Sequence, residues 1–308
     1  MKREVLFRMS SPFRDEFKIE GFRFGSGKPV LAIVGALRGD EVQQQFICAQ
    51  MVSLLQRMEA EKRLAQGIEI LVIPNANHFS MNIEKRFWAM DSTDINRMFP
   101  GYNQGETTQR IAAALFEQIK EYPYGIQLAS YYLPGDFIPH IRMMETGYQP
   151  EEEACWFGLP YAYIRHPRPY DTTVLNYNWQ IWGCKAFSLY AGSEGRICET
   201  ATREACQAIL RFMQRAGWLK QPVRGAYQTA LIHERDLVSI RAAEAGVFQK
   251  RHTAGEEVHK GEQLACILDP YDGSLRQSIE APADGILFFA HDKPLVLQNT
   301  LLYRMVEN

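Results

Sequence analysis

Two continuous apolar runs with an amphipathic segment between them organise the first part of the chain. Residues 29–36 and 68–73 are apolar at nearly every position, which is typical of strands buried on both faces of a parallel sheet. The intervening segment carries apolar residues at helical spacing, namely Val42, Phe46, Ala49, Val52 and Leu55. The pattern predicts a strand, a helix and a second strand as one βαβ unit of an α/β domain.

The same reasoning gives the remaining elements of this domain. Periodic or apolar segments predict an edge hairpin within residues 1–27, helices at 106–121 and 200–216, and strands at 125–129, 158–164 and 184–191. Two long stretches, 78–101 and 130–150, show neither period and are interpreted as irregular loops. Loops of this length inside a compact domain are usually functional or disordered, and the composition of 78–101 is not that of a disordered segment.

The pattern changes between residues 220 and 226. Beyond this point the helical period is lost, and short apolar segments are separated by Gly246, Gly255, Gly261, Gly273 and Gly285. Short strands with turn signals at regular spacing predict a small barrel or sandwich. We therefore predict an α/β domain over residues 1–222 and an all-β domain over residues 223–308.

The composition and net charge of the chain argue against some classes of binding partner. The 308 residues carry a formal net charge of −2, so no electrostatic attraction to nucleic acid or to an anionic membrane is expected. The longest apolar runs are too short to span a bilayer, and residues 1–17 have no apolar core of signal-peptide length. The cysteines form no CxxC pair, which argues against a zinc knuckle. We expect a cytoplasmic protein with no nucleic-acid and no membrane partner.

Short polar motifs follow the predicted strands, and their order resembles that of the motifs in one enzyme family. GDE at residues 39–41 follows the first strand, PN at 74–75 follows the second, and residues 94–101 read DINRMFPG. With these motifs the chain resembles the succinylglutamate desuccinylase/aspartoacylase family of the zinc carboxypeptidase clan over nearly its whole length. The glycine-punctuated region after residue 223 is similar to the biotinyl/lipoyl-like domain appended in this family.

The resemblance implies both a fold and a chemistry. The implied fold is a zinc-carboxypeptidase-like, mostly parallel or mixed sheet flanked by helices, followed by a small all-β domain. The implied chemistry is amide hydrolysis at a zinc ion held by two histidines and a glutamate, with one position open for water. A separate glutamate, near the end of the last strand, acts on that water as general base.

The chain departs from the family pattern at the residues that carry this chemistry. By the resemblance, Arg38 and Ala129 stand at the two histidine positions, and Tyr190 stands at the general-base position. Glu41 is the only retained ligand position. Because a guanidinium has no lone pair to give and repels a dication, we predict that no zinc is bound and that Arg38 pairs with Glu41 instead. No catalytic residue is then assigned.

Other side chains offer ways to rebuild the site. His78 follows the second strand and His140 lies beyond the predicted strand 125–129, so either could replace a missing ligand. The simpler interpretation is that both are loop or surface histidines. Glu194 and Glu199 follow Tyr190 and could replace the base, although a helix-start role explains Glu199 more simply.

The residues that the resemblance assigns to substrate binding match the family pattern better than those it assigns to catalysis. In the family the Asn96-Arg97 positions hold a substrate carboxylate, and an upstream arginine, here Arg86, assists at the scissile carbonyl. Arginine suits such bidentate binding. Together with Arg38, these residues predict an arginine-rich pocket for a small carboxylate or an N-acyl amino acid.

Three functional hypotheses follow. The first is a degenerate family member without zinc-dependent hydrolysis, which binds a small carboxylate or pairs with a partner protein, as a homo-oligomer or with an active relative. The second is an active metal-dependent hydrolase with a rebuilt site, a deacylase of N-acyl amino acids or a carboxypeptidase-like enzyme. The third is a structural subunit. The predicted hairpin tip at 269–273 has no lysine for a swinging arm, so the β-domain is interpreted as a structural or interaction module.

Overall fold

The structure, a computed structural model, describes all but four positions of the chain. It covers residues 1–131, 133–193, 195–220, 222–223 and 225–308. The chain divides into two compact units, each described separately below. The first unit is formed by residues 1–130 and 139–231, and the second by residues 131–138 and 232–308.

The described residues contain strands β1 to β18 and helices α1 to α6. In chain order, the strands are Lys2–Met9, Phe17–Gly25, Gly27–Ala36, Gly67–Asn75, Tyr124–Ala129, Gly135–Phe137, His140–Met144, Tyr161–Arg165, Lys185–Tyr190, Ala230–His233, Leu237–Arg241, Gly246–Lys250, Glu257–Val258, Gln263–Leu268, Leu275–Glu280, Gly285–His291, Leu295–Val296 and Leu301–Glu307. The helices are Val42–Ala60, His78–Met81, Thr107–Ile119, Glu151–Ala154, Leu175–Ile181 and Glu199–Arg215. No helix in the described part of the chain is both long and apolar enough to cross a membrane.

The first unit is built on a mixed sheet with the order β1-β2-β4-β3-β5-β9-β7-β8-β10. Its centre is parallel, because β3 pairs with both β4 and β5, and β5 pairs with β9. The antiparallel hairpin of β1 and β2 extends it at one edge, as predicted for the lead-in. The predicted α/β class and mixed sheet are therefore confirmed.

Strand β3 shows why a buried parallel strand is apolar at every position. Leu31 and Ile33 belong to the core on the face covered by α1 and α6. Ala32 and Val34 belong to the core on the opposite face, covered by α3 and α5. Burying one large aliphatic side chain stabilises the folded state by roughly 1.5–3 kcal/mol, so apolar residues are favoured on both faces of the strand.

The interpretation of residues 130–150 as an irregular loop is wrong. The stretch contains β6 and β7, and β7 lies in the main sheet, antiparallel to β9 and parallel to β8. A five-residue strand has too little local pattern to be recognised, since its pairing depends on strands distant in sequence. In the same way the stretch 78–101 contains the short helix α2 and a 3-10 turn at Ile95–Arg97.

The second unit is all β, as predicted for the C-terminal region. One sheet has the order β11-β18-β16-β13, with β6 also pairing with β16, and the other has the order β15-β14-β12-β17. The unit consists of residues 232–308 together with residues 131–138. The sequence analysis predicted a single boundary, after residue 222. The lysine-free turn at 269–273 joins β14 to β15.

The second unit contains a buried histidine whose surroundings oppose its protonation. His291 on β16 is buried, and neither ring nitrogen has a hydrogen-bond partner among the described residues. Burial lowers the pKa of His291 below its ordinary value of 6.5, against the opposing effect of Asp292, while Lys293 and Lys250 lower it further. At pH values around and below 6.5, the unfolded chain thus binds more protons at His291 than the folded chain does.

We expect the melting temperature to fall as the pH is lowered from about 7 to about 5, and His291→Phe to reduce this dependence. Thermal denaturation followed by circular dichroism at each pH measures the effect. His259→Phe changes an exposed histidine of the same unit and is the matched control. An unchanged pH dependence in His291→Phe would contradict the assignment.

Candidate functional site

The turn after β3 is packed tightly against a distant loop. The amide of Gly39 donates to the carbonyl of Arg86 at 3.0 Å. A Cβ on Gly39 would lie 2.2 Å from the Lys85 carbonyl oxygen and 2.5 Å from the Ser80 carbonyl carbon. Only glycine fits this approach, so its presence lets the turn lie directly against residues 80–86.

Glu41 is the most deeply buried charged group of this turn. Its Oε2 accepts hydrogen bonds from the amides of Leu37 and Arg38, both at 3.0 Å. Its Oε1 accepts one from the Ser130 hydroxyl at 2.7 Å, just beyond the end of β5. The carboxylate therefore ties the turn after β3 to the end of the neighbouring parallel strand.

The guanidinium of Arg38 lies between two carboxylates. Its Nη1 donates to Glu41 Oε1 at 3.3 Å. Its Nε lies 3.2 Å from both oxygens of Asp94, and its Nη2 donates to Asp94 Oδ2 at 2.9 Å. Burial opposes the charge, but Glu41 and Asp94 outweigh it and raise the pKa of Arg38. Arg38 is therefore a permanent cation in a buried site.

The donor set around this turn does not fit zinc. Arg38 supplies only N–H donors, and its guanidinium already occupies one side of Glu41. Ala129 is buried and its methyl group offers no ligand atom. Within the ranges the structure describes, no three His, Cys, Asp or Glu side chains are arranged to hold a metal ion. The residues present favour a guanidinium over a dication at this position.

Tyr190, at the end of β9, stacks on a histidine that the sequence placed in a loop. His140 of β7 lies opposite Tyr190 in the sheet, and their rings are parallel within 3° at 5.0 Å. His140 is fully buried, so its interpretation as a loop or surface residue is wrong. Tyr190 also makes the smallest named contribution to the raised pKa of Arg38, after those of Glu41 and Asp94.

Arg142 is a site residue that the sequence analysis missed. Its Nη1 donates to the Tyr190 hydroxyl at 3.1 Å, and its guanidinium lies 4.2 Å from the Tyr190 ring centroid. The ring of Tyr163 lies 5.1 Å away on β8. Arg142 and His140 are two residues apart on β7, so they share a face of the strand. That alternation was the available signal, but it requires β7 to be recognised as a strand.

The other candidates for a rebuilt site are not assembled around Arg38. His78 begins α2, where its ring stacks on Phe17 at 4.8 Å, and burial lowers the pKa of His78. Glu199 is the exposed first residue of α6, consistent with a helix-start role. Glu194 lies outside the described residues.

Arg86 and Asn96, both predicted to bind substrate, are hydrogen-bonded to other residues of the first unit. Arg86 donates to Asp40 at 2.9 Å. Asn96 is buried, and its side-chain oxygen accepts the amide of Leu175 at 3.1 Å, at the start of α5. Its own amide donates to Asp94, which also binds Arg38. Asn96 therefore supports the carboxylate that holds the buried guanidinium.

Arg97 is the predicted ligand residue with the most open side chain, 37 % exposed. Its Nη1 donates to the carbonyl of Tyr170 and lies 3.5 Å from Asp171 Oδ1. Its guanidinium also lies 5.3 Å from the Tyr170 ring centroid. Asp171 is bound more closely by Arg165, so the contact with Arg97 is its weaker ion pair.

The first part of the chain matches a known catalytic domain. Residues 27–128 match the family model described as Succinylglutamate desuccinylase/Aspartoacylase catalytic domain. The resemblance to this family is confirmed. The matched region includes Arg38, Glu41 and Asp94 and ends just before Ala129. A search of curated proteins found no match.

Solved structures described as proteins of this kind share the fold. A succinylglutamate desuccinylase/aspartoacylase from Rhodobacter sphaeroides superposes with a TM-score of 0.81 at 20% identity, covering 99% of this chain and 96% of that one. The product-bound ectoine utilization protein EutE (DoeB) of Ruegeria pomeroyi gives 0.78 at 19%, covering 95% and 90%. An aspartoacylase family protein from Mesorhizobium loti gives 0.75 at 20%, also covering 95% and 90%. The likeness establishes a shared fold.

Replacing Arg38 should strongly destabilise the first unit. Arg38→Met leaves Glu41 and Asp94 buried without their cation, and breaking a buried pair by removing one partner costs about 3–5 kcal/mol. Urea unfolding measures the change. Arg63→Met, which removes a more exposed pair with Glu61, is the matched control and should cost less than about 1 kcal/mol. Equal effects of the two substitutions would contradict a structural role for the buried pair.

Proposed function

We propose that this protein is a non-hydrolytic relative of the succinylglutamate desuccinylase/aspartoacylase family that binds a small carboxylate ligand. The observation that carries the proposal is the Arg38 guanidinium lying against Glu41 and Asp94. By the resemblance, this is where the family places a zinc ligand. A fixed cation replaces the metal in the proposed site.

The chemistry of the three replaced positions supports the loss of zinc-dependent hydrolysis. A catalytic zinc site requires three lone-pair donors and an open position for water. Arg38 and Ala129 supply no donor to such a site. Tyr190 is a phenol that accepts a hydrogen bond from Arg142, so the general-base position holds no carboxylate. Positive charge remains, but the groups that would activate water do not.

Arg97 is the residue we assign to the ligand carboxylate. Arginine binds carboxylates in a bidentate geometry, and the guanidinium of Arg97 is more exposed than those of Arg38 and Arg86. Its present carboxylate contact, at 3.5 Å, is long, and Asp171 keeps Arg165 when that contact is released. A small acid or an N-acyl amino acid can therefore take the place of Asp171 at low cost.

Zinc content tests the first half of the proposal. We expect purified protein from zinc-supplemented medium to hold far less than one zinc ion per chain, measured by elemental analysis. Arg38→His combined with Ala129→His offers two imidazoles beside Glu41 and should raise the content to about one. Arg86→His combined with Ala129→His is the matched control. Stoichiometric zinc in the unchanged protein would overturn the proposal.

A thermal-shift screen tests the second half. Acidic amino acids and N-acyl amino acids should raise the melting temperature, since a ligand at about 100 times its Kd stabilises by about 2.7 kcal/mol. The shift should be lost in Arg97→Ala and kept in Arg215→Ala, which removes an exposed arginine at the end of α6. If no acid stabilises the unchanged protein, carboxylate binding is wrong and a role through a partner protein is favoured.

A further inference from the structure

An open pocket lies beside α3 in the first unit. It encloses about 490 Å³, and small-molecule sites usually enclose roughly 300–1,000 Å³. Its lining residues come from β1, from the segment that follows residue 99, from α3 and from the residue after α5, and all of them belong to the first unit. They do not include Arg38, Glu41, Asp94 or Arg97, so this pocket is not the candidate site described above.

The segment at residues 100–103 forms one wall of the pocket. Gly101 has a φ of +93°, and a Cβ there would lie 2.1 Å from the backbone nitrogen of Ala113 in α3. The amide of Tyr102 donates to the carbonyl of Gln109 at 3.1 Å. Glycine thus lets this segment lie directly against the helix, and the hydrogen bond holds the backbone that carries Tyr102 at the pocket wall.

Two exposed aromatic side chains line the pocket. Tyr102 and Trp182 are each 55 % exposed, whereas tryptophan is highly buried on average. Trp182 packs against the buried ring of Phe116, with the ring centroids 5.3 Å apart and the planes at 86°. Phe116 also lines the pocket, so this contact holds the indole at the wall. The pocket therefore offers aromatic surface to a ligand.

Arg110, an exposed residue of α3, adds a positive charge to the lining. The structure gives the Arg110 side chain no hydrogen bond and no ion pair with any residue that it describes. Glu117 also lines the pocket, but its carboxylate is paired with Lys120 at 2.8 Å. The Lys120 ammonium in turn lies 6.0 Å from the Trp182 ring centroid. Because this pair is neutral, Arg110 leaves a net positive charge that favours an anionic ligand.

We propose that this pocket binds a small aromatic acid, with its ring against Trp182 and Tyr102 and its acid group on Arg110. Offset-stacked and edge-to-face contacts between aromatic rings are favourable beyond the apolar area that they bury. A guanidinium without an internal partner binds a carboxylate or a phosphate in a bidentate geometry without first breaking an ion pair. An aliphatic acid lacks the first interaction, and an uncharged aromatic compound lacks the second.

Tryptophan fluorescence tests the proposal, because Trp182 is the most exposed of the five tryptophans. We expect phenylacetate or phenyl phosphate to change the emission in a saturable way, and the tighter of the two identifies the preferred acid group. Cyclohexylacetate has no aromatic ring and benzyl alcohol has no charge, so each should bind at least about tenfold more weakly. Trp182→Phe should abolish the emission change but keep the rise in melting temperature with the acid, since phenylalanine also offers a ring.

Arg110→Met should weaken the binding of both aromatic acids about tenfold or more, because it removes the cation and keeps the aliphatic stem. Arg203→Met changes an exposed arginine of α6 and is the matched control, which should bind as the unchanged protein does. Equal affinity in Arg110→Met, equal binding of cyclohexylacetate, or no response to either aromatic acid would overturn the proposal. Binding at Arg97 is judged by its own loss in Arg97→Ala, so the two proposals fail separately.

Discussion

The burial of one guanidinium between two carboxylates is the interaction on which the candidate site depends. A buried ion pair is tolerated only when its remaining donors and acceptors are bonded. Here Glu41 binds two backbone amides and the Ser130 hydroxyl, and Asp94 accepts the amide of Asn96. The charge of Arg38 is thereby fixed at the end of the central strands.

The parallel sheet explains how these groups come together. The carboxyl ends of β3, β5 and β9 lie side by side, and ligands of open α/β sheets bind at such ends. The turn after β3 supplies Arg38 and Glu41, β5 leads into Ser130, and β9 ends at Tyr190. The family resemblance and the shared fold make this the place to look for function.

Secondary structure was predicted correctly from the sequence where the local hydrophobic pattern reflects the burial of the element. It was missed where a short strand pairs with strands distant in sequence. The apolar runs gave β3 and β4 because each is buried on both faces. The strand β7 was missed because five residues carry almost no periodic signal, and with it Arg142 and the burial of His140 were missed. Strand β6 was missed for the same reason, because its partner strand β16 lies some 150 residues later in the chain.

By itself the sequence determined the fold class, the order of the central elements and the chemical type of the side chains at the positions that the resemblance equates with the family's catalytic ones. The side chains of arginine and alanine have no lone pair to give to a metal in any fold, so this chemical type could be named without coordinates. The bonding partners of these side chains were decided only by the tertiary structure. It shows that Arg38 also binds Asp94, 56 residues away, and that Arg86 and Arg97 form ion pairs with carboxylates. A residue's type is local information, whereas a contact at 3 Å depends on which distant segments the packing brings together.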